Sequence, residues 1–282
     1  MAREKKAKRP VDVMLDILLW VFILVFIGSA GYLGYYFYNI KKSESGFMTL
    51  KKMMKGDVSV QQDFATPDEP LEPLEYVEIN GVMVQAKFAD LYKQNNDFMG
   101  WLKLDDTCID YPVMFTPNDE EYYIHRDFDG SYSSSGTLFI GKLSDPITPS
   151  DNVIIYGHNM KAGTMFYPLL KYEKKDFYEG HKYIEFDTID DNCTYEVIAA
   201  FRTVINESDP SNFDYYNFAN ANSKEEFDEY VSKVKSKTPY DIPTTAEYGD
   251  KLITLSTCAY HADEGRYVVV AKRVYSYKAM TK

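Results

Sequence analysis

The chain has 282 residues and a formal net charge of −12 at pH 7. Residues 1–42 hold seven Lys and Arg against three Asp and Glu, so the remaining residues carry a net charge of −16. Such a surface excludes nucleic acid as a partner and argues against anionic lipid. The length allows one large domain or two small ones, and the 16% aromatic residues, with 25 Tyr, favour a strand-rich fold.

The N-terminal segment has the pattern of a membrane anchor. Residues 1–16 form a basic tail, and Ile17–Tyr38 contains no charged residue. About 20 apolar residues in a helix cross a bilayer. We therefore predict a single-pass transmembrane helix over residues 17–40, with a cytoplasmic N-terminus because Lys and Arg are enriched before it. A cleaved signal peptide is the alternative, but its apolar core would span only about 7–15 residues.

The remainder is predicted to lie outside the cell, first as a stalk and linker over residues 41–74 that is polar and then acidic and Pro-rich. A folded domain is predicted over residues 75–277, followed by a polar tail at 278–282. The predicted helices are Val84–Tyr92, Thr164–Leu170 and Ser223–Lys235, the last with a capping box formed by Ser223 and Glu226. The predicted strands are Phe98–Leu104, Thr107–Phe115, Gly136–Ile140, Asn152–Tyr156, His181–Phe186, Thr194–Val204, Lys251–Thr257 and Arg266–Tyr275. Many short strands between turns favour a closed barrel or a sandwich.

Three residues at strand ends carry reactive groups. Cys258 ends a strand-like run, Arg266 opens the next one, and His158 follows the apolar strand that ends at Tyr156. A thiolate is a nucleophile, an imidazole transfers protons, and a guanidinium stabilises an oxyanion. Each of these residues alone is more often structural, but together they suit covalent acyl chemistry.

The other cysteines and histidines have less specific surroundings. Cys108 and Cys193 lie in strand-like runs and are predicted to be core residues. His261 is a weaker catalytic candidate in a polar loop, and His125 and His181 are predicted to be surface or packing residues. We predict no metal and no cofactor, because no cluster of His, Cys and Asp has zinc-ligand spacing.

The local sequences resemble those of the sortases, particularly class B. The resemblance rests on Thr254-Leu255-Ser256-Thr257-Cys258, on Arg266 and on Tyr156-Gly157-His158. Further similar stretches extend it to about residues 95–274, most of the outer domain.

This resemblance implies a mainly β fold, with a closed eight-stranded sortase-type barrel and a few peripheral helices. It implies a membrane-anchored cysteine transpeptidase of a Gram-positive cell that cleaves a C-terminal sorting motif, NPxTx- or LPxTG-like, after Thr. The acyl group passes through a Cys thioacyl intermediate to an amine of peptidoglycan or lipid II. Cys258 is then the nucleophile, His158 the acid and base, and Arg266 the anion stabiliser. Tyr156, Ser256 and Thr257 are the expected substrate-binding residues.

Four alternatives remain at this point. Some class B sortases polymerise pilins, and the acceptor is then a pilin Lys. The pilus-building class C enzymes usually add a C-terminal membrane segment and an inhibitory lid, and this sequence shows the pattern of neither. A hydrolytic cysteine protease is less favoured, because papain-like enzymes place Cys before His in the chain. An L,D-transpeptidase lacks support without a His-Gly-Cys neighbourhood. A non-catalytic adhesin would carry a sorting signal of its own near the C-terminus.

Overall fold

The computed structural model describes residues 9–54, 73–206, 213–259 and 264–281. Within these ranges the α-helices are α1 Pro10–Met53, α2 Ala89–Gln94, α3 Lys175–Gly180, α4 Lys224–Lys237 and α5 Tyr277–Met280. The strands are β1 Tyr76–Ile79, β2 Val82–Gln85, β3 Phe98–Lys103, β4 Asp110–Met114, β5 Leu138–Ile140, β6 Asn152–Tyr156, β7 Tyr183–Thr188, β8 Cys193–Val204, β9 Leu252–Cys258 and β10 Gly265–Ser276. Short 3-10 helices span Ala86–Phe88, Tyr122–His125, Tyr167–Glu173 and Tyr215–Asn217.

Eight of the strands close into a barrel in the order β10-β8-β7-β3-β4-β5-β6-β9. The pairs β4–β5 and β6–β9 are parallel, and the other neighbours are antiparallel. The prediction of a closed eight-stranded barrel is therefore confirmed. The predicted strands all occur, with ends that differ from the prediction by up to three residues.

The barrel encloses one apolar core, and a second core lies between its outer face and α4. The inward-facing apolar side chains of Phe227, Tyr230, Val231 and Val234 place α4 over β8 and β10. Strands β6 and β9 are covered on both faces as well, because almost every residue in them is buried. The Ser223 cap is as predicted, with its hydroxyl accepting from the Glu226 amide at 3.2 Å. The Glu226 carboxylate, however, accepts from the Asn222 amide instead of closing the capping box.

Helix α1 runs without a break through the predicted boundary between transmembrane helix and stalk at residue 40. It begins at Pro10, inside the predicted tail, and its C-terminal part packs on the barrel domain through Ile40, Phe47 and Leu50. Residues 41–53 of the predicted stalk are helical, and they pack on the barrel domain. The remaining predicted linker lies outside the described residues, and the domain boundaries stay predictions.

Two local predictions are wrong in detail. The segment that was expected to be helical from Val84 begins as β2, which forms a hairpin with β1 across an Asn80-Gly81 turn. Both turn residues have positive φ, at 53° and 82°, as the two-residue hairpin turn requires. The second predicted helix is a 3-10 helix over Tyr167–Glu173, preceded by positive φ at Gly163 and Met165, which delays its start.

Candidate active site

Strand register places the three reactive residues at one end of the barrel. On the antiparallel pair β9–β10, Cys258 lies directly opposite Arg266. On the parallel pair β6–β9, Tyr156 lies opposite Ser256, so His158 follows two residues beyond, level with Cys258. Cys258, His158 and Arg266 line the same cleft, whose volume is about 440 Å³. The structure therefore brings together the three residues that the sequence predicts to be catalytic.

The position before His158 has room only for a glycine. A Cβ atom at this position would lie 2.3 Å from Leu138 Cδ2 and 2.8 Å from Phe166 Cδ2, both in fully buried side chains. The backbone here is also tied to β9, because the Gly157 carbonyl accepts from Thr257 Oγ1 at 2.6 Å. A larger residue would move the chain that carries His158 away from β9.

The His158 ring is held by the segment that includes the 3-10 helix Tyr122–His125. Its Nε2 lies 2.7 Å from the Ile124 carbonyl oxygen. A carbonyl only accepts, so Nε2 carries the proton and Nδ1 is the ring atom left to exchange one in the neutral form. The His125 ring stacks on His158, with centroids 5.2 Å apart.

The protonation of His158 follows from these neighbours. Burial lowers the pKa of His158, the Ile124 carbonyl opposes that shift, and a charge on His125 lowers the pKa further. A lowered pKa favours the neutral imidazole near neutrality, which is the form that accepts a proton. His125, predicted to be a surface or packing residue, is exposed and packs on the candidate catalytic ring.

Arg266 is only 23% exposed, and its guanidinium has two partners among the residues that the structure describes. One nitrogen donates to the Gly265 carbonyl at 3.1 Å, and another lies 3.0 Å from Glu264 Oε2. Glu264 itself is 66% exposed, so this ion pair faces water and contributes little to stability. The guanidinium therefore sits at the cleft beside a carboxylate that a substrate oxygen can replace.

Cys258 is half-buried, and the peptide group that follows it is held by two hydrogen bonds. The carbonyl of Cys258 accepts from Asn159 Nδ2 at 3.0 Å, and the next amide, at Ala259, donates to the Gly265 carbonyl. Asn159 is absent from the sequence prediction. It follows His158 directly, so a polar amide beside a candidate imidazole was the available signal.

The three expected substrate-binding residues differ in accessibility. Tyr156 is half-buried, with its ring 5.5 Å from that of Phe139, and it lines the cleft. Ser256 and Thr257 are buried, and their hydroxyls are bonded within the protein, Ser256 Oγ to the Tyr215 hydroxyl at 2.7 Å. Ser256 and Thr257 therefore line the cleft, but the hydroxyl of each is already hydrogen-bonded within the protein. Substrate binding by these residues stays a prediction.

Cys108, Cys193 and His181 do not line this cleft. Cys193 is buried and Cys108 is half-buried, and burial raises the pKa of both thiols. His181 stacks on Phe177 and bonds its carbonyl through Nδ1. His261 lies outside the described residues. Among the described residues, no group of His, Cys, Asp and Glu could hold a metal ion.

The barrel domain matches a known protein family. The family model for the sortase domain covers residues 103–274, more than half of the chain. The chain belongs to the sortase family. Sortase B of Listeria monocytogenes is 34% identical over 198 residues, which cover 70% of this chain and 77% of that protein. Sortase B of Staphylococcus aureus is 32% identical over 191 residues, covering 67% and 75%.

The solved structures agree on the class. Sortase B from Bacillus anthracis, in complex with AAEK1, superposes with a TM-score of 0.68 at 27% identity, covering 84% of this chain and 99% of that one. A Staphylococcus aureus sortase B–substrate complex superposes with a TM-score of 0.61 at 31% identity, covering 68% and 86%. The chain is thus a class B member of a family of cysteine transpeptidases.

Proposed function

We propose that this sortase joins surface proteins to an amine of the cell-wall peptidoglycan. It cleaves a C-terminal sorting motif, NPxTx- or LPxTG-like, after Thr and transfers the new carboxyl end. The single observation that carries this proposal is the strand register, which supports one active centre built from Cys258, Arg266 and His158.

The chemistry assigns one role to each of the three residues. The Cys258 thiolate attacks the Thr carbonyl, and the developing oxyanion is stabilised by the Arg266 guanidinium in place of Glu264. Neutral His158 has taken the proton of the Cys258 thiol on Nδ1, and it gives this proton to the leaving amine, so a thioester and a free peptide result. The neutral imidazole then takes a proton from the acceptor amine, which attacks the thioester and releases Cys258.

The cleft offers further polar and apolar walls for a peptide. Beyond the three reactive residues, the cleft is lined by the largely apolar side chains of Tyr156, Phe139 and Leu143 and by the charged side chains of Glu120 and Lys142. One of the solved sortase B structures is a substrate complex, and another is a complex with triglycine. These two complexes support a peptide substrate and an amine acceptor for this chain as well.

Helix α1 supports attachment to a membrane. It is the one helix in the described residues that is long and apolar enough to cross a bilayer, and its most apolar 18-residue window has a mean hydropathy of 2.5. None of that window is buried by the protein. With the basic residues before it in the cytoplasm, the barrel domain lies outside the cell.

The proposal is tested with the full chain in detergent micelles and fluorogenic NPxTx and LPxTG peptides. Each reaction is run with and without triglycine and analysed by mass spectrometry, with Cys258→Ala as the matched control. We expect a thioacyl adduct on Cys258 and a peptide–triglycine product, both absent in the variant. Turnover by Cys258→Ala would refute the nucleophile, and cleavage without transfer at saturating amine would indicate a hydrolase. Transfer to a Lys side chain in preference to triglycine would indicate a pilin polymerase.

A further inference from the structure

The barrel domain begins where the apolar part of α1 ends. A bilayer core of about 30 Å takes about 20 helical residues, and the uncharged run Ile17–Tyr38 has about that length. Tyr36 already packs against the main core, and Asn39 and Ile40 are only 9% and 6% exposed. Ser43 continues the same stripe at a spacing of three to four residues. In the described part of the chain, no spacer separates the apolar helix from the domain.

One surface turn lies beside the emerging helix. Asp127–Tyr132 folds back on itself, with the Asp127 amide donating to the Ser131 carbonyl at 2.8 Å, and we call it the 127–132 turn. The next residue, Ser133, is buried and bonded to Ser43 Oγ at 2.9 Å. Asp129 on the turn and Lys42, the residue before Ser43 on α1, are both exposed.

The height of this turn above the hydrocarbon core can be estimated from the helix rise. Lys42 and Ser43 follow Tyr38 by four and five residues, or about 6–8 Å along the axis. The headgroup region on each side of a bilayer is about 5–8 Å thick. The 127–132 turn, which contacts α1 at this level, therefore stands within the headgroup region. Tyr132 is 62% exposed there.

We propose that the 127–132 turn, with Tyr132 at its exposed edge and Lys41 and Lys42 of α1 beside it, lies among the phospholipid headgroups of the membrane that α1 crosses. This inference rests on the membrane anchoring in the proposed function. Tyrosine is enriched at this depth because its ring is apolar and its hydroxyl is polar. Lys41, Lys42 and Asp129 are all exposed, so this surface carries both signs and suits zwitterionic headgroups.

The same segment reaches the active site. The Ser133 amide donates to the His125 carbonyl at 3.0 Å, and the preceding carbonyl, of Ile124, holds His158 at 2.7 Å. A hydrogen-bonded path of three links therefore joins Ser43 on α1 to the catalytic imidazole. The cleft is held at a fixed, short height above the bilayer.

The test measures the depth of tryptophan reporters in the full chain, reconstituted in phosphatidylcholine vesicles. The wild-type chain reports from Trp20 in α1, while Trp101, only 5% exposed in the barrel, gives a background common to all samples. In a Trp20→Phe background, Tyr132→Trp reports from the turn. Tyr248→Trp is the matched control, since Tyr248 is 49% exposed and packs near α4. The quenchers are phosphatidylcholines with a nitroxide on the headgroup or in mid-chain.

We expect the headgroup nitroxide to quench the Tyr132→Trp reporter at least about twofold more than the Tyr248→Trp reporter, as a location in the headgroup region requires. Trp20 is expected to respond to the mid-chain nitroxide. Equal quenching of the two surface reporters, with Trp20 quenched, overturns the location of the turn and leaves the anchoring intact. No quenching of Trp20 by mid-chain nitroxide overturns the anchoring itself and with it this inference.

Discussion

Strand β9 of the barrel and the C-terminal part of helix α1 are both held by the barrel domain, but different forces hold them. The three buried hydroxyls of β9 are each hydrogen-bonded, in the pairs Thr254–Asn152, Ser256–Tyr215 and Thr257–Gly157, at 2.6–2.8 Å. Helix α1 docks mainly through apolar side chains, with Phe47 packed edge-on against Tyr111 at a centroid distance of 5.2 Å.

This difference matches what each element has to do. A hydrogen bond weakens steeply when its angle or distance changes, so the β9 network fixes where Cys258 and His158 stand. Apolar packing has no direction and scales with the area removed from water, so it supplies most of the attachment of α1, while the Ser43–Ser133 hydrogen bond fixes one point of contact. Substitutions on α1 are therefore expected to change attachment, and substitutions around β9 to change chemistry.

The largest change in stability is expected for Phe47→Ala. Phe47 is 3% exposed, and removal of a buried Phe side chain costs about 3–5 kcal/mol. We expect this loss to appear as easier opening of residues 41–53. Hydrogen exchange of those amides in the full chain measures it. Met48→Ala, at the neighbouring and 63% exposed position, should leave the exchange nearly unchanged. Equal exchange in the two variants would mean that apolar packing does not attach α1.

The largest change in chemistry among substitutions that keep the nucleophile is expected for Arg266→Lys. Lysine keeps the charge but lacks the planar fork of donors, so kcat/KM should fall by about 10²–10³, the effect of losing one oxyanion donor. The temperature of unfolding should move little, since the Glu264 partner is exposed. Peptide cleavage and thermal unfolding of the same preparation separate the two effects.

Arg273→Lys is the matched control for that variant. Arg273 is on the same strand, β10, but pairs with Tyr195 of β8 and does not line the cleft. Its activity should equal that of the unmodified chain. A near-normal rate in Arg266→Lys would remove Arg266 from the mechanism.

The site elements could be predicted from sequence because their signals are local. The strands β6, β9 and β10 each contain a short apolar stretch with turn residues near its ends, and the family motif lies on β9 and beyond the end of β6. The hairpin β1–β2 also had a local signal in Asn80-Gly81, but the helical spacing from Val84 to Tyr92 concealed it. Val84 is fully buried in strand β2 by contacts with other parts of the chain. The spacing of apolar residues alone did not distinguish this buried strand residue from one on the inner face of a helix.

The parts that could not be predicted depend on contacts between distant segments. The side chains of α1 at Ile40, Ser43 and Phe47 indicate a helical stripe, but no local pattern shows that the barrel covers it. The burial of Ser256 is similar, because its partner Tyr215 is far away in the chain. A hydroxyl two residues before a candidate nucleophile suggests contact with substrate. In the structure the Ser256 hydroxyl is instead buried and hydrogen-bonded to Tyr215.

Ser256→Ala distinguishes these two roles of Ser256. The Tyr215 hydroxyl is fully buried, and losing its partner costs about 1–3 kcal/mol of unfolding free energy. Denaturant unfolding measures that change, and the exposed Ser236→Ala on α4 should be almost neutral. If Ser256 acted on substrate alone, KM would rise and stability would stay the same.

A double variant makes the Ser256 result specific to one hydrogen bond. Tyr215→Phe combined with Ser256→Ala removes both partners, so no buried polar atom is left unpaired. The pair of changes should therefore cost less than the sum of the two single changes, with a coupling of about 0.5–3 kcal/mol. Strict additivity would show that the 2.7 Å contact does not stabilise β9.

The smallest effect is expected for His125→Phe, which tests the electrostatics around His158. The variant keeps a flat ring stacked at 5.2 Å but removes a charge that lowers the pKa of His158. The pKa of His158 should therefore rise, yet stay below its ordinary value of about 6.5, because burial is the larger cause. The chain has four histidines, so NMR titration of the His158 ring proton can follow this directly.

The sign of the accompanying stability change follows from the same shift. A histidine whose pKa is lower in the folded state binds fewer protons there, so its contribution to stability is present above about pH 6.5 and is lost as the pH falls. His125→Phe should reduce that acid-side loss, while His181→Phe, which removes a ring stacked on Phe177 away from the cleft, should leave the pKa of His158 unchanged. An unchanged or lower pKa in His125→Phe would show that the two rings do not interact electrostatically. The fixed position of His158 would then depend on the Ile124 carbonyl and the β9 hydrogen bonds alone.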